Sequence, residues 1–337
     1  MSHSRRFHRT LSRFHILAAV LAMSLSSPGF SAELVAFKLG LSEPVNTALA
    51  LWMAEAGGFY EANGLKVEII NMSGGSRGAR ETAAGRLDAM HVGLSSVVRV
   101  NQAGGDLKTI AALANVIRFT FFTGAGVKTP ADLKGGAIAI SSFGSESEAT
   151  INLSLKKLGL SRNDVTMKEY GGGMRRIEAV KTGEVKATSV NEPVASIARA
   201  QGMHVMVDLV PDQIPWLFTG LVVKQTTLAS RRDVLVRFLK AVMEGNHLAL
   251  SDEKRAKEVL AREAGIKDTK ILDISYNDFK QQSPLNIEPT RAGAANVLAQ
   301  FPAGEAKGID DYLDLGILEE LKKSGFVAGL QRKYGSK

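Results

Sequence analysis

Glycine- and serine-rich segments carry the clearest chemical potential in this sequence. Gly74-Gly75-Ser76-Arg77-Gly78 satisfies G-x-S-x-G between an expected strand and an expected helix, the setting in which a hydrolase holds a nucleophilic serine on a sharp turn. Such a serine needs an imidazole base. Past residue 32 the histidines are His91, His204 and His247, and the C-terminal region reads as helical where that fold would return its histidine on a strand and loop. A hydrolase would need His91 or His247 beside Ser76.

The same glycines support a second chemistry. Glycine lets a backbone approach a ligand closely, and the first turn of a helix presents unpaired N–H groups at the positive end of its dipole. This arrangement recurs at Ser42 (in 42–46), at Gly75-Ser76, at Ser95-Ser96, at Ser142 to Ser145, and at 171–173. Any one of these reads equally well as ordinary helix capping. Their recurrence at the C-terminal ends of strands is the stronger signal, because such ends converge on one crevice in an open α/β sheet. A small anion could be held there by several helix starts at once.

Two charged residues stand apart. Arg118 precedes the apolar run Phe119-Thr120-Phe121-Phe122, and a charge beside such a strand requires either a ligand anion or a neighbouring acid. The acid is the favoured partner. Glu192 precedes Pro193; acid then proline is a good helix opening, and contact with a ligand amine is the minor reading.

No metal site or cofactor is expected. The chain has no cysteine, its histidines are isolated, and no H-E-x-x-H or EF-hand spacing occurs. Gly124-Ala125-Gly126 lacks the third glycine of a dinucleotide fingerprint, and the glycine-rich loops lack Gly-Lys-Ser/Thr.

The elements that must position these loops alternate in type. Strands are expected at 34–41, 66–72, 89–92, 109–114, 119–123, 137–141, 165–170, 187–190, 204–209 and 217–223, with helices at 47–56, 77–84, 95–102, 145–158, 174–181 and 193–201. That alternation predicts α/β lobes with mainly parallel sheets. Beyond 223 the pattern is helical, at 231–250, 251–263, 290–298 and 310–323.

An internal echo supports two lobes of one design. At an offset of 98 residues, Gly74, Gly75, Arg77, Gly85, Ala89, Val92 and Gly104 match Gly172, Gly173, Arg175, Gly183, Ala187, Val190 and Gly202. The expected division is a discontinuous first lobe, 33–122 plus 222–337, and an inserted second lobe, 123–221. Hinges are expected at 123–126 and 220–223, with Trp216 placed to report their closure.

Residues 1–32 read as a secretory signal peptide. Arg5, Arg6, Arg9 and Arg13 form a basic region, 16–25 an apolar one, and Ser31-Ala32 a small-residue cleavage site. Taking those four arginines from the 42 Lys+Arg leaves 38 against 34 Asp+Glu, a net +4 scattered as mixed pairs. A nucleic-acid surface is therefore not indicated. The expected location is the periplasm, with no membrane-embedded segment in the mature chain. At 337 residues the chain can build cores without disulfides.

Read in order, several segments carry a family resemblance. They are Leu39-Gly40-Leu41-Ser42; Ala54-Glu55-Ala56-Gly57-Gly58-Phe59-Tyr60 with Gly64-Leu65-Lys66-Val67; Gly85-Arg86-Leu87-Asp88-Ala89; Gly93-Leu94-Ser95-Ser96; Leu133-Lys134-Gly135; and Glu192-Pro193. With them the chain resembles the solute-binding proteins of the nitrate/sulfonate/taurine type, including NMT1/THI5-like relatives. The resemblance implies a bilobed class II periplasmic binding fold, two lobes with mainly parallel sheets joined by two crossings. It also implies an ABC permease and ATPase as partners, a monomer, and binding rather than catalysis. Ligand contacts would fall near Ser42, Gly75, Ser76, Ser95, Ser142, Ser145 and Glu192.

The family's ligands include sulfonates, oxyanions, pyrimidines and aromatic acids. Its enzyme branch, which makes the thiamine pyrimidine, carries a cysteine-rich motif that is absent here. The expected function is therefore periplasmic capture of a small organic anion, a sulfonate or carboxylate, for an ABC importer. A pyrimidine or aromatic nutrient, a sensor subunit and a hydrolase are the alternatives.

Overall fold

A computed structural model describes residues 33–335. The expected signal peptide lies outside them. Ten strands form two five-stranded sheets. They are β1 (Val35–Leu41), β2 (Leu65–Asn71), β3 (Ala89–Val92), β4 (Leu107–Val116), β5 (Thr120–Thr123), β6 (Ala137–Ile140), β7 (Thr166–Glu169), β8 (Ala187–Val190), β9 (His204–Asp208) and β10 (Pro215–Lys224). Each expected strand is present, with its ends shifted by a few residues at most.

The first sheet runs β2-β1-β3-β10-β4 and the second β7-β6-β8-β5-β9. Both have the order second, first, third, intruder, fourth. In each sheet the first three strands pair in parallel, while the intruding strand is antiparallel to both neighbours. The intruding strands adjoin the two passages between the sheets: β5 is the first strand of the second sheet and β10 the last of the first. Helix Gly75–Ala83 and β3 recur as helix Gly173–Lys181 and β8, again 98 residues later. The sequence echo therefore corresponds to a repeated piece of structure.

The fold is bilobed α/β, but the crossings lie elsewhere than the glycines suggested. All four residues of β5 pair with β8 and β9, so a boundary at 122/123 would separate Thr120, Phe121 and Phe122 from their own sheet. The outward crossing is at 117–119. Gly220 lies inside β10, paired with β3 and β4, and the return crossing is at 209–214. Gly124-Ala125-Gly126 forms the turn that leaves β5, held by Gly124 N–H donating to Lys186 O at 2.9 Å.

The core of the first lobe joins its sheet to the C-terminal helices. Phe37 of β1 stacks on Phe238 at 4.4 Å, and helix Leu49–Ala56 packs against helix Arg232–Ser251. Gly245 permits that approach. A Cβ there would stand 2.5 Å from Ala50 O and 2.6 Å from Ala54 N, backbone atoms that cannot swing away. Gly245→Ala should therefore destabilise the chain by about 1–3 kcal/mol through overpacking, measurable as a lower urea midpoint. Among the described residues no helix is long and apolar enough to cross a membrane.

Candidate functional site: a cleft lined from both lobes

The loops after the parallel strands of both sheets meet at one cleft. From the first lobe it is lined by Ser42, Glu43, Thr47, Gly75, Ser96, Phe119 and Phe218; from the second by Ser141, Ser145, Glu146, Ser147, Arg176 and Asn191. The convergence expected from strand ends therefore occurs.

Hydroxyls form two clusters on the walls. Ser141 Oγ donates to Ser145 Oγ at 2.9 Å, and Ser147 Oγ lies 2.9 Å from Ser145 Oγ while accepting from Ser141 N–H at 2.8 Å. Across from them Ser76 Oγ lies 3.2 Å from Ser96 Oγ, which donates to Gly144 O at 3.3 Å. His91 sits behind the first-lobe wall, its Nε2 3.2 Å from Thr47 Oγ1 and its Nδ1 3.5 Å from Ser42 Oγ. Burial lowers its pKa to about 4, so the ring is neutral at physiological pH and bonded to those hydroxyls. Ser76 is thus bonded to another serine, and among the described residues no imidazole is bonded to the G-x-S-x-G serine.

Three charged side chains dominate the cleft. Arg176, 2% exposed, is fixed within its lobe by donating through Nε to Gly171 O at 3.0 Å and through Nη1 to Ser189 O at 2.6 Å. Its Nη2 donates to Glu43 Oε1 of the other lobe at 3.1 Å. Glu43 Oε2 accepts from Gly173 N–H at 3.0 Å, at the start of helix Gly173–Lys181. Glu146 makes the reverse connection. Its Oε1 accepts from Ser95 N–H at 2.9 Å and its Oε2 from Trp216 Nε1–H at 2.7 Å. Gly93 makes room for it, since a Cβ there would lie 2.2 Å from Glu146 Oε1 and 2.4 Å from Phe218 O. Burial raises the Glu146 pKa to about 7, against the pull of the Trp216 and Ser95 hydrogen bonds.

The expected site residues divide accordingly. Ser42, Gly75 and Ser145 line the cleft. Ser76 reaches it through Ser96, and Ser142 is buried with its Oγ unpartnered. Ser95 is engaged with Glu146, so its N–H is not free for a ligand. Arg118 and Glu192 are not on the wall. Arg118 Nε donates to Asp278, whose Oδ2 also accepts from Asn46 Nδ2 at 2.8 Å and Gln282 Nε2 at 2.7 Å, confirming the structural pairing. Glu192 caps its own lobe, accepting from Ser196 N–H at 3.1 Å and Arg199 Nη1 at 3.2 Å. Its neighbour Asn191 lines the cleft instead, with a buried Nδ2 that has no partner among the described residues.

Sequence reasoning missed Arg176, Glu43, Glu146 and Asn191. Arg176 left a signal. Arg175-Arg176 places two cations in the first turns of a helix, against its dipole. Glu146 left none, because an acid opening a helix is ordinary.

The sequence pattern of the family described as NMT1/THI5 like matches residues 46–256. The chain belongs to that family. A relative, the riboflavin-binding protein RibY of Chloroflexus aurantiacus, is 29% identical over 212 residues, 60% of this chain and 59% of that protein. The match thus spans about three fifths of that relative.

Solved structures share the fold. The periplasmic nitrate-binding protein NrtA of Synechocystis PCC 6803 superposes with a TM-score of 0.70 at 17% identity, covering 90% of this chain and 93% of that one. The alkanesulfonate-binding protein SsuA of Xanthomonas axonopodis pv. citri, bound to MOPS, gives 0.67 at 18%, covering 80% and 92%. The desulfurization enzyme DSZB gives 0.63 at 18%, covering 86% and 99%. The fold therefore hosts both binding proteins and an enzyme, and the site has to distinguish them.

Proposed function

We propose that this chain is the solute-binding subunit of an ABC importer, that it works in the periplasm, and that it is not an enzyme. The observation that carries the reading is the cleft itself. Both lobes line it with hydrogen-bonding groups, whereas its one motif serine is bonded to Ser96 rather than to a base. Permease and ATPase subunits are the partners this role requires. The lobes divide at 117–119 and 209–214, the segments that would flex on closure.

The ligand is a small organic acid, a carboxylate or sulfonate. Its donors would be the opening N–H groups of helices Gly75–Ala83 and Glu146–Lys157, with Asn191 Nδ2 and the Arg176 guanidinium. Charge-assisted hydrogen bonds are worth about 1.5–3 kcal/mol each, and micromolar binding needs only about 8 kcal/mol. Because Glu43 already holds Arg176, the acid would have to share that guanidinium or take it over.

A second reading follows from Phe119 and Phe218, which meet edge to face at 5.1 Å in the wall, beside Glu146. They would suit a neutral aromatic nutrient, such as a pyrimidine, that donates to the carboxylate.

Thermal melting against alkanesulfonates, carboxylates, nitrate, pyrimidines and riboflavin separates the two. A true ligand at one hundred times Kd adds about 2.7 kcal/mol of stability. Arg176→Met should weaken an acid ligand by about tenfold or more, the loss of one charge-assisted bond, while leaving a neutral ligand less affected. Shifts from neutral aromatics alone would overturn the acid assignment. Catalytic turnover of a bound compound would overturn the binding-protein reading.

A further inference from the structure

Each lobe seats one carboxylate on a helix start of the other, Glu146 buried and Glu43 partly buried. Glu43 follows β1 in the first lobe and accepts from Gly173 N–H and Arg176 Nη2 in the second. Glu146 opens a helix of the second lobe and accepts from Ser95 N–H and Trp216 Nε1–H in the first. The two connections run in opposite directions across one cleft, and both are made entirely by the chain's own atoms.

The surroundings are built for these contacts. Arg176 is held rigid by two carbonyls of its own lobe, so its guanidinium presents a fixed edge to Glu43. Only glycine at position 93 leaves space for the Glu146 side chain. Backbone N–H groups and the dipole favour a carboxyl group at a helix start, and at Glu146 the Ser95 and Trp216 hydrogen bonds offset part of the cost of its burial.

We propose that Glu43 and Glu146 are reciprocal latches that hold the two lobes together directly. Closure then does not depend on a solute bridging the cleft, and a solute must work against, or join, contacts the chain already makes. This goes beyond the transport reading, because it concerns the chain alone and its test uses no solute. A failure here would leave that reading standing.

The absence of cysteine makes the test clean. Glu61→Cys on the first lobe and Lys181→Cys on the second, both exposed, carry a spin-label pair on the full chain. Inter-lobe distances are measured by pulsed electron resonance at pH 6, below the Glu146 pKa of about 7, without solute. The parent should show one short-distance population. Glu43→Gln and Glu146→Gln together should add a longer one, the closed-to-open ratio falling about tenfold for each carboxylate removed, equivalent to ~1.4 kcal/mol.

Should a glutamine variant fail to fold, Glu43→Asp and Glu146→Asp keep the charge on a side chain one methylene shorter and should loosen closure in the same direction. Arg176→Met and Glu43→Gln should be non-additive, since they break the same contact. The proposal is overturned if the double variant keeps the parent's distances. It is also overturned if the parent is already open and no substitution changes it, or if Arg176 and Glu43 prove additive.

Discussion

Asp278→Ala should destabilise the chain by about 3–5 kcal/mol, the cost of leaving one member of a buried ion pair without its partner. Arg118 and Asp278 are 7% and 5% exposed, so solvent cannot replace what is lost. The carboxylate also accepts from Asn46 and Gln282, and both amides would lose that acceptor. Burial raises the Asp278 pKa, and Arg118 opposes the rise. In a chain of this size the loss corresponds to a fall in melting temperature of roughly 5–8 °C.

The double variant Arg118→Met/Asp278→Ala should recover part of that loss, because an apolar replacement removes the buried charge as well as its partner. If Asp278→Ala alone costs less than about 1 kcal/mol, typical of an exposed pair, the contact is not the anchor described here. Arg118 lies within the outward crossing, whereas Asp278 belongs to helix Thr269–Gln282 of the C-terminal region. The pair therefore ties the start of the crossing to the first lobe's helical layer.

That helix was the main element not legible in the sequence, and its composition explains why. Its buried positions include Ser275, Asp278 and Gln282, while Ile274 is exposed. Polar residues on the inner face and an apolar one outside erase the periodicity on which a helix is recognised. The inner face is polar because it serves Arg118 and Asn46. Arg118 could be read as needing an acid, but the acid lies 160 residues away, beyond the reach of any local pattern.

The strands were legible because their apolar runs are short and bounded by glycine, and the repeat because both copies keep the same glycines. The crossings were misplaced for a related reason. Gly124-Ala125-Gly126 and Gly220 look like linkers, yet one closes a turn and the other lets β10 pack, where a Cβ at Gly220 would meet Ala111 O at 2.7 Å. In the cleft, glycines and serines announced where helix starts converge. Which of those starts were already occupied by Glu43 and Glu146 depends on how the two lobes meet, a relation no local segment encodes.

Glu146 should give the chain a pH-dependent stability that the glutamine variant lacks. Burial holds its pKa at about 7, against an ordinary value of 4.5. Between those values the folded chain binds a proton that the unfolded chain releases, so this contribution is fully present below about pH 4.5 and is lost as pH rises through about 7. The gap, at about 1.36 kcal/mol for each pH unit, is worth ~3 kcal/mol.

His91 acts in the opposite sense, since burial lowers its pKa to about 4 from 6.5. Its contribution is present above about pH 6.5 and falls away as pH drops through about 4. The wild-type curve alone would mix the two. The difference between wild type and Glu146→Gln isolates the carboxyl, because His91 is common to both. That difference should move in favour of the glutamine variant between pH 4.5 and 7 and level off above. Trp216 offers a second readout, its indole N–H being bonded to the carboxylate at 2.7 Å. With Trp52→Phe removing the other tryptophan, its emission should titrate near pH 7 in the parent and stay flat in Glu146→Gln. A flat difference curve from pH 4 to 8, or a titration that survives the substitution, would show that Glu146 does not carry its proton in the closed cleft.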